Sequence, residues 1–288
     1  MADNEYLNRV QLAIDFIEAN ITEPLTFQAV ARQVALSPYH FHRLFRALVG
    51  ETVTDYIRKR QLSAAAQELL SGRRRILDIA VDYQFGSQAA FTRAFKRVYN
   101  TTPHAYRRQG QAHILLERKV LTPQVLTHRA GQITLEPRIV QLAGFSVTGM
   151  EYRGRNTNQE IPALWSEFAK RANDIPGRID HRVTLGVCEI LIPFTESSVF
   201  TYLTAVKVEE DSPVPTGMRK IYIPAQSYAV FTHTGSPELL GHTYEYIHGA
   251  WLLKSGYELV EAHDFEWYDQ RYCPQDKHSQ LDIYVPVK

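Results

Sequence analysis

Two short stretches of this sequence place side chains that can bind nucleic acid on one face of a predicted helix. Ser37–Arg46 carries its outward side chains at positions i, i+3, i+4 and i+7, and Ser87–Lys96 has a similar polar face. Such side chains reach base edges and phosphates. The candidate DNA-binding residues are Tyr39, His42, Arg43, Arg46, Gln88, Thr92, Arg93 and Lys96. For either stretch alone, a merely solvated face of an amphipathic helix remains an open alternative.

The two stretches are copies of one unit, offset by fifty positions. The aligned pairs are Ser37 with Ser87, Phe41 with Phe91, Arg43 with Arg93, Phe45 with Phe95, and Arg46 with Lys96. An internal repeat that keeps a helix cap, two core aromatics and outward cations is stronger evidence than either copy alone. We therefore predict two helix-turn-helix units in one chain and double-stranded DNA as a partner.

The repeat predicts two DNA-recognition helices, which we call the reading helices. The elements around the repeat can position both of them. Apolar residues at helical spacing predict a helix over residues 5–20, and Thr26 can cap a second helix that runs to about Val34. Thr52 opens a longer helix that ends near Ser71. About twenty helical residues span about 30 Å. That length suits two helices that enter successive major grooves about 34 Å apart.

The run from Phe85 to Arg107, F-G-S-Q…F-T-R…F-K-R…Y-N-T-T-P…Y-R, resembles the signature of AraC/XylS-family transcription regulators. The resemblance covers roughly residues 5–108. It implies an activator that contacts RNA polymerase and binds an asymmetric site as a monomer. The sequence departs from the family at Ala35, Gln84 and Asn100, where the family usually has glycine. We expect a non-glycine residue at positive φ in these turns.

From about Gln132 the pattern changes to strand-like runs rich in Val, Thr, Tyr and Phe, alternating with helices near 160–173 and 236–256. The order strand, helix, strand, strand occurs twice. It predicts an α+β domain, a doubled β-α-β-β antiparallel sheet with helices on one face and a cleft at the pseudo-twofold. Residues 202–208 and 281–287 are predicted partner strands. The predicted divisions are 1–110 (DNA-binding), 111–132 (linker) and 133–288 (ligand-binding).

Glu266 is the carboxylate in the second domain that could bind a ligand. Phe265, Trp267 and Tyr268 flank it, and strand alternation puts Tyr268 on its face. A poorly solvated carboxylate beside aromatic rings attracts an organic cation. From the residues alone, an exposed Glu266 on an open sheet remains an alternative.

The motif D-F-E-W-Y-D at Asp264–Asp269, the final L-D-I-Y-V-P-V and the order of elements resemble the GyrI-like effector domain. This resemblance implies an aromatic pocket around Glu266 that takes a small hydrophobic or cationic effector. Core packing is an equal alternative for the other candidates. These other candidate ligand-binding residues are Trp165, Tyr202, Tyr228, Trp251 and Tyr284.

Charge and composition agree with a DNA-binding half joined to a half that avoids DNA. Residues 1–110 hold 15 Lys/Arg against 10 Asp/Glu, a net +5, and the remainder holds 17 against 21, a net −4. Cys188 and Cys273 have no metal-site spacing, and two cysteines favour a reducing compartment. The sequence shows neither a signal peptide plan nor an apolar run of eighteen residues. We expect a cytoplasmic protein without a membrane partner.

Residue patterns for catalysis are absent from the sequence. Neither a phosphate-binding glycine loop, a nucleophile elbow nor a Cys/His metal group occurs. We therefore predict a regulator that is not an enzyme and carries no catalytic residues, metal or cofactor. Two alternatives stay open for the second domain. It could be a small-molecule hydrolase or scavenging binder that uses Glu266 with a tyrosine, or a protein-interaction module without a ligand.

Overall fold

The computed structural model describes residues 5–72, 74–110, 136–154, 156, 158, 160–189, 200–273 and 276–288. The described residues fall into two compact parts, a helical domain within 5–110 and a sheet domain within 136–288. The predicted linker, 111–132, and the first residues of the predicted second domain, 133–135, lie outside the described residues.

The helical domain consists of seven helices among the residues described. They are α1 (Glu5–Ala19), α2 (Phe27–Gln33), α3 (Pro38–Val49), α4 (Val53–Ser71), α5 (Ile76–Asp82), α6 (Gln88–Tyr99) and α7 (Pro103–Gln109). In this order, α2–α3 and α5–α6 are the two predicted helix-turn-helix units, and α4 is the long helix that joins them. None of the described helices has the length and apolar character that a membrane crossing requires.

Side-chain caps start the helices where the sequence predicts them. Ser37 accepts a hydrogen bond from the His40 N–H at 3.3 Å, and Ser87 accepts one from the Ala90 N–H at 3.1 Å. Thr26, Thr52 and Thr102 cap α2, α4 and α7 in the same way. Each cap satisfies an N–H group that the first helical turn leaves without a partner.

The repeated phenylalanines form the cores of the two helix-turn-helix units. Phe41 and Phe45 of α3 are fully buried, as are Phe91 and Phe95 of α6. The inner face of α4 contributes Leu62, Ala66 and Leu69 to the core of the second unit. The apolar periodicity of the sequence therefore predicted the buried faces correctly.

The three turns in which we expected a strained residue do hold one. Ala35, Gln84 and Asn100 have φ angles of 51°, 63° and 53°. Glycine adopts this left-handed region readily, whereas an L side chain crowds the backbone there.

Among its described residues, the sheet domain contains one antiparallel sheet of eight strands. They are β1 (Arg138–Leu142), β2 (Phe145–Gly154), β3 (Thr184–Glu189), β4 (Phe200–Val208), β5 (Arg219–Ile223), β6 (Gln226–Thr234), β7 (Asp264–Tyr268) and β8 (Gln280–Val287). Their order is β1-β6-β8-β7-β3-β4-β2-β5. One β-α-β-β half contains β2, β3 and β4, and the other contains β6, β7 and β8. The two halves meet where β3 pairs with β7, which confirms the predicted doubled fold.

The predicted pairing of residues 202–208 with residues 281–287 is wrong, because β3 and β7 lie between β4 and β8. Each of these strands is the second strand of its own hairpin and pairs with the first. The first strands of the two hairpins therefore form the junction. The two runs resemble each other because they occupy equivalent places in the two halves.

In the part of the second domain that the structure describes, two helical segments accompany the sheet, one in each half. The first is α8 (Glu160–Ala169), followed by a 3₁₀ turn at Ala172–Asp174, so the predicted helix ends earlier than expected. The second continues from α9 (Leu240–Tyr246) through a π-helical turn at Ile247–Trp251 into α10 (Leu252–Ser255).

The sheet is strongly curved. Phe145 of β2 and Phe265 of β7 are three strands apart, a distance of about 14 Å along a flat sheet. Their ring centroids nevertheless lie 5.9 Å apart. The face that carries Phe265 is therefore concave, and its apolar side chains form a core among themselves. The opposite face carries Glu266, because neighbouring residues of a strand alternate.

Candidate functional site

Within the predicted reading face of α3, two of the candidate side chains contact each other. Arg46 is exposed, and Tyr39, His42 and Arg43 are half-buried. The Arg43 guanidinium lies 4.7 Å from the centre of the Tyr39 ring. This cation–π contact restricts the rotamers of Arg43 before any ligand arrives.

The equivalent face of α6 is more open. Gln88, Arg93 and Lys96 are exposed and Thr92 is half-buried. Neither Arg43 nor Arg93 is sunk into the core. Both side chains therefore avoid the burial that would exclude contact with DNA. Their orientation toward a common duplex stays a prediction.

Glu266 lies at the centre of a group of tyrosines in the sheet domain. Its side chain is only 5% exposed. Tyr202 and Tyr268 donate hydrogen bonds to Oε2 at 2.6 and 2.8 Å, and Tyr244 donates a longer one to Oε1 at 3.4 Å. The Trp165 indole N–H donates to the Tyr202 oxygen at 3.2 Å. The alternative of an exposed Glu266 on an open sheet is wrong.

Gly186 leaves room for the side chains of this group because it has no side chain of its own. It pairs with Glu266 across β3 and β7. A Cβ atom at this position would lie 1.9 Å from the Tyr202 hydroxyl and 2.7 Å from the Glu266 Oε2 atom. The absence of a side chain on Gly186 therefore allows Tyr202 to reach the carboxylate.

The electrostatics of the group oppose a charged Glu266. Burial raises the pKa of the Glu266 carboxyl, and the nearby Asp264 raises it further, while hydrogen bonds from Tyr202 and Tyr268 lower it. Burial and the carboxylate also raise the pKa of Tyr202 and Tyr268 well above the usual range. Both tyrosines thus remain donors, and the site lacks a cation among its described contacts.

The structure brings together only some of the predicted pocket residues. Trp165 and Tyr202 belong to the group, and the Trp165 ring also packs against Tyr268 with centroids 4.9 Å apart. Trp251 instead belongs to the second helical segment, and its ring packs against Phe231 of β6 with centroids 5.0 Å apart.

Tyr228 and Tyr284 do not share a site with Glu266. Their rings contact Phe265, with centroids at 5.2 and 4.6 Å, on the concave face. Glu266 points to the other face because it follows Phe265 in the strand. For these two tyrosines, the core-packing alternative describes the observed contacts.

Sequence reasoning missed Tyr244 and did not include Tyr268 among the ligand-binding candidates. The i, i+2 spacing of Glu266 and Tyr268 in one strand was a usable signal for the latter. Tyr244 comes from α9, and its contact with Glu266 depends on how a helix lies on a sheet. No local pattern carries that information.

This combination of a helical domain with two helix-turn-helix units and a doubled sheet domain with a buried carboxylate defines a class of DNA-binding regulators. Residues 30–109 match the family model described as a helix-turn-helix domain. Residues 138–287 match the model described as an integron-associated effector binding protein. The chain therefore belongs to the AraC family of transcription regulators and carries an effector-binding domain of the GyrI-like type.

Three curated relatives illustrate the match. The right origin-binding protein of Escherichia coli K12 is 30% identical over 233 residues, which cover 76% of either chain. The transcriptional regulator BrlR of Pseudomonas aeruginosa is 38% identical over 154 residues, and the chain spans 56% of its length. The regulatory protein SoxS of Salmonella typhimurium is 39% identical over 98 residues, 34% of this chain and 92% of SoxS.

Proposed function

We propose that this protein is a transcription activator that inserts α3 and α6 into two successive major grooves and is controlled by an organic cation bound at Glu266. The repetition of a capped helix with a cationic outward face is the observation that carries the proposal. Membership of the AraC family supports DNA as the partner. A chain with two reading helices binds an asymmetric site as a monomer, and an activator contacts RNA polymerase once bound.

On each reading face, the two cationic residues have different roles. Arg43 and Arg93 occupy equivalent positions and can each donate two hydrogen bonds to a guanine edge. Arg46 and Lys96 are one turn or less away and can neutralise phosphates. The remaining candidates, Tyr39, His42, Gln88 and Thr92, supply further polar or apolar contacts to base edges and backbone.

The effector part of the proposal rests on the charge balance around Glu266. A buried carboxylate is costly unless it is paired, and three phenol donors compensate only part of that cost. An organic cation would provide the missing charge, and Trp165, Tyr202 and Tyr268 would provide aromatic surfaces. Hydrophobic cations are therefore the ligand class that suits this site.

Selection of bound duplexes from a random DNA pool, with and without tetraphenylphosphonium, tests both parts. We expect a consensus with two half-sites about ten base pairs apart. A consensus with one half-site would refute reading by both helices. In the Glu266→Gln variant, the consensus should persist without the cation, while any effect of tetraphenylphosphonium on binding should vanish.

A pair of variants on α6 separates base reading from phosphate contact. Arg93→Ala should cost about 1–3 kcal/mol and relax the preference at one base pair. Lys96→Ala should weaken all duplexes similarly and reduce the slope of log K against log salt by about one. Equal effects of the two variants on base preference would contradict this division.

The alternative is a sheet domain that hydrolyses or scavenges a small molecule. The hydrogen bond of 2.6 Å between Tyr202 and Glu266 favours it, because a carboxylate paired with a phenol can activate water. If this alternative holds, Glu266→Gln abolishes turnover of a bound small molecule. If the regulator proposal holds, the same variant changes only the ligand response.

A further inference from the structure

The turn between α5 and α6 contains a residue whose backbone conformation disfavours its side chain. Gln84 has a φ of 63°, and Ala35 has a φ of 51° at the equivalent turn of the first helix-turn-helix unit. Glycine would relieve the crowding at both positions. The crowding comes from the Cβ atom and is therefore similar at the two positions, but Gln84 also has a long polar side chain that can form a contact.

The Gln84 side chain connects the turn of the second helix-turn-helix unit to the loop that leads into the first. Its Nε2 atom donates a hydrogen bond of 2.6 Å to the carbonyl oxygen of Thr22, 62 residues earlier in the chain. Thr22 lies in the loop that leads from α1 into α2, and thus into the first unit. Gln84 itself lies three residues before Ser87, the cap of the second reading helix.

Two further contacts attach the same loop to the connecting helix and to the core of the second unit. The buried Gln61 of α4 donates through Nε2 to the carbonyl oxygen of Ile21 at 3.3 Å. The Ile21 side chain packs against the core cluster that contains Phe91 and Phe95. The hydrogen bond from Gln84 is therefore one part of a contact that joins the first unit to the turn, the connecting helix and the core of the second.

We propose that Gln84 is a positioning residue that fixes the second reading helix relative to the first. Because the side chain ties the turn before α6 to the loop before α2, the two helices keep one separation and one angle. The protein then binds tightly only to half-sites at the matching spacing. This inference rests on the proposed reading of two grooves by α3 and α6, and it concerns spacing rather than base identity.

The test compares Gln84→Gly and Gln84→Ala with Ala35→Gly as the matched control. Gln84→Gly removes both the strain and the bridge, Gln84→Ala removes only the bridge, and Ala35→Gly relieves the equivalent strain without loss of a side-chain hydrogen bond. Affinities of the full chain are measured for the selected duplex, for duplexes with one or two base pairs inserted between half-sites, and for a duplex with one half-site scrambled.

We expect both Gln84 variants to bind the selected duplex about threefold to tenfold more weakly, since the helices lose their preorganised arrangement. Their discrimination against altered spacing should fall, and binding to the single half-site should not change. Ala35→Gly should retain the discrimination of the original sequence. Unchanged discrimination in both Gln84 variants would overturn the proposal.

A measurement without DNA keeps the proposal separate from the proposed function. Residual dipolar couplings of the full chain report whether amides of Pro38–Val49 and Gln88–Tyr99 share one alignment tensor. If the original protein shows no preference for two half-sites, reading of two grooves is refuted, and these couplings decide the role of Gln84. Separate tensors in both Gln84 variants, with a common tensor in Ala35→Gly, would support the bridge. A common tensor in every variant, or separate tensors in Gln84→Gly alone, would overturn it.

Discussion

The proposed binding of a cation at Glu266 should compete with protonation of the same carboxylate. Burial raises the pKa of this group above its usual range. Below the raised pKa the carboxyl is neutral, so affinity for a cation is low. It should increase as the pH rises through that pKa and level off above it.

Titration with tetraphenylphosphonium at a series of pH values measures this dependence, with triphenylphosphine oxide as an uncharged control ligand. The Glu266→Gln variant should bind the cation weakly at every pH. An affinity that stayed constant or fell with pH in the original protein would argue against Glu266 as the binding carboxylate.

Gly186 should tolerate no side chain. In Gly186→Ala, the new methyl would overlap the Tyr202 hydroxyl, and overpacking in a core typically costs about 1–3 kcal/mol. We expect a lower free energy of unfolding of the sheet domain and a weaker affinity for the cation, because Tyr202 must move away from Glu266.

Gly241→Ala is the matched control for this substitution. A Cβ at Gly241, in α9, would have no heavy atom within 4 Å. Replacing a helical glycine by alanine should stabilise the protein by roughly 0.5–1 kcal/mol. Urea unfolding of the two variants should therefore show shifts of opposite sign. Equal shifts would mean that Gly186 is not essential for the space around Glu266.

At the scale of elements, the side-chain cap of α6 should control the stability of that reading helix. Ser87→Ala removes the acceptor for the Ala90 N–H and should cost about 1 kcal/mol. Ser87→Gly should cost only a few tenths, since glycine leaves the N–H accessible to water. Urea unfolding measures both values, and an equal loss for the two variants would refute the role of the hydroxyl as a cap.

How much could be predicted from the sequence also differs between kinds of elements. Caps such as Ser37 and Ser87 act within three residues, and the apolar periodicity of α3 and α6 is equally local, so both were predicted correctly. The positive φ angles at Ala35, Gln84 and Asn100 followed from a comparison of each turn with its family pattern.

Contacts between elements were harder to predict. The neighbours of β4 and β8 depend on which hairpin strand lies at the junction, and similar sequences cannot decide that. For the same reason, the sequence left a pocket and core packing as equal alternatives for Tyr228 and Tyr284, whose rings contact Phe265 on the concave face. Their side relative to Glu266 depends on the register of β6 and β8 against β7. The Tyr244 contact needs the position of a helix over the sheet.

For the molecule as a whole, ligand binding should stabilise one domain selectively. A ligand at a concentration of 100 times its Kd adds about 2.7 kcal/mol to the domain that binds it. With tetraphenylphosphonium, we expect the thermal transition of the sheet domain to shift upward in the original protein and to stay unchanged in Glu266→Gln. Failure of any hydrophobic cation to shift this transition would favour the interpretation of the domain as an interaction module.

The opposite net charges of the two parts of the sequence agree with one DNA-binding part and one part with the proposed ligand site. The first 110 residues are net positive and the remainder net negative. A net positive charge favours approach to the DNA backbone, and a net negative charge favours approach of the organic cation that we propose as the effector. The same molecule can thus interact with a polyanion and a cation through separate surfaces.

The pairing of Gly186 with Glu266 at the junction of β3 and β7 also bears on how many ligand molecules one chain should bind. A duplicated half-domain could in principle provide two equivalent carboxylates, one from each copy. Here the strand opposite Glu266 contributes a residue without a side chain, and the vacant volume is filled by Tyr202 and the carboxylate itself. If Glu266 binds the cation as proposed, the duplication provides one asymmetric site, and we expect each chain to saturate with one equivalent of ligand.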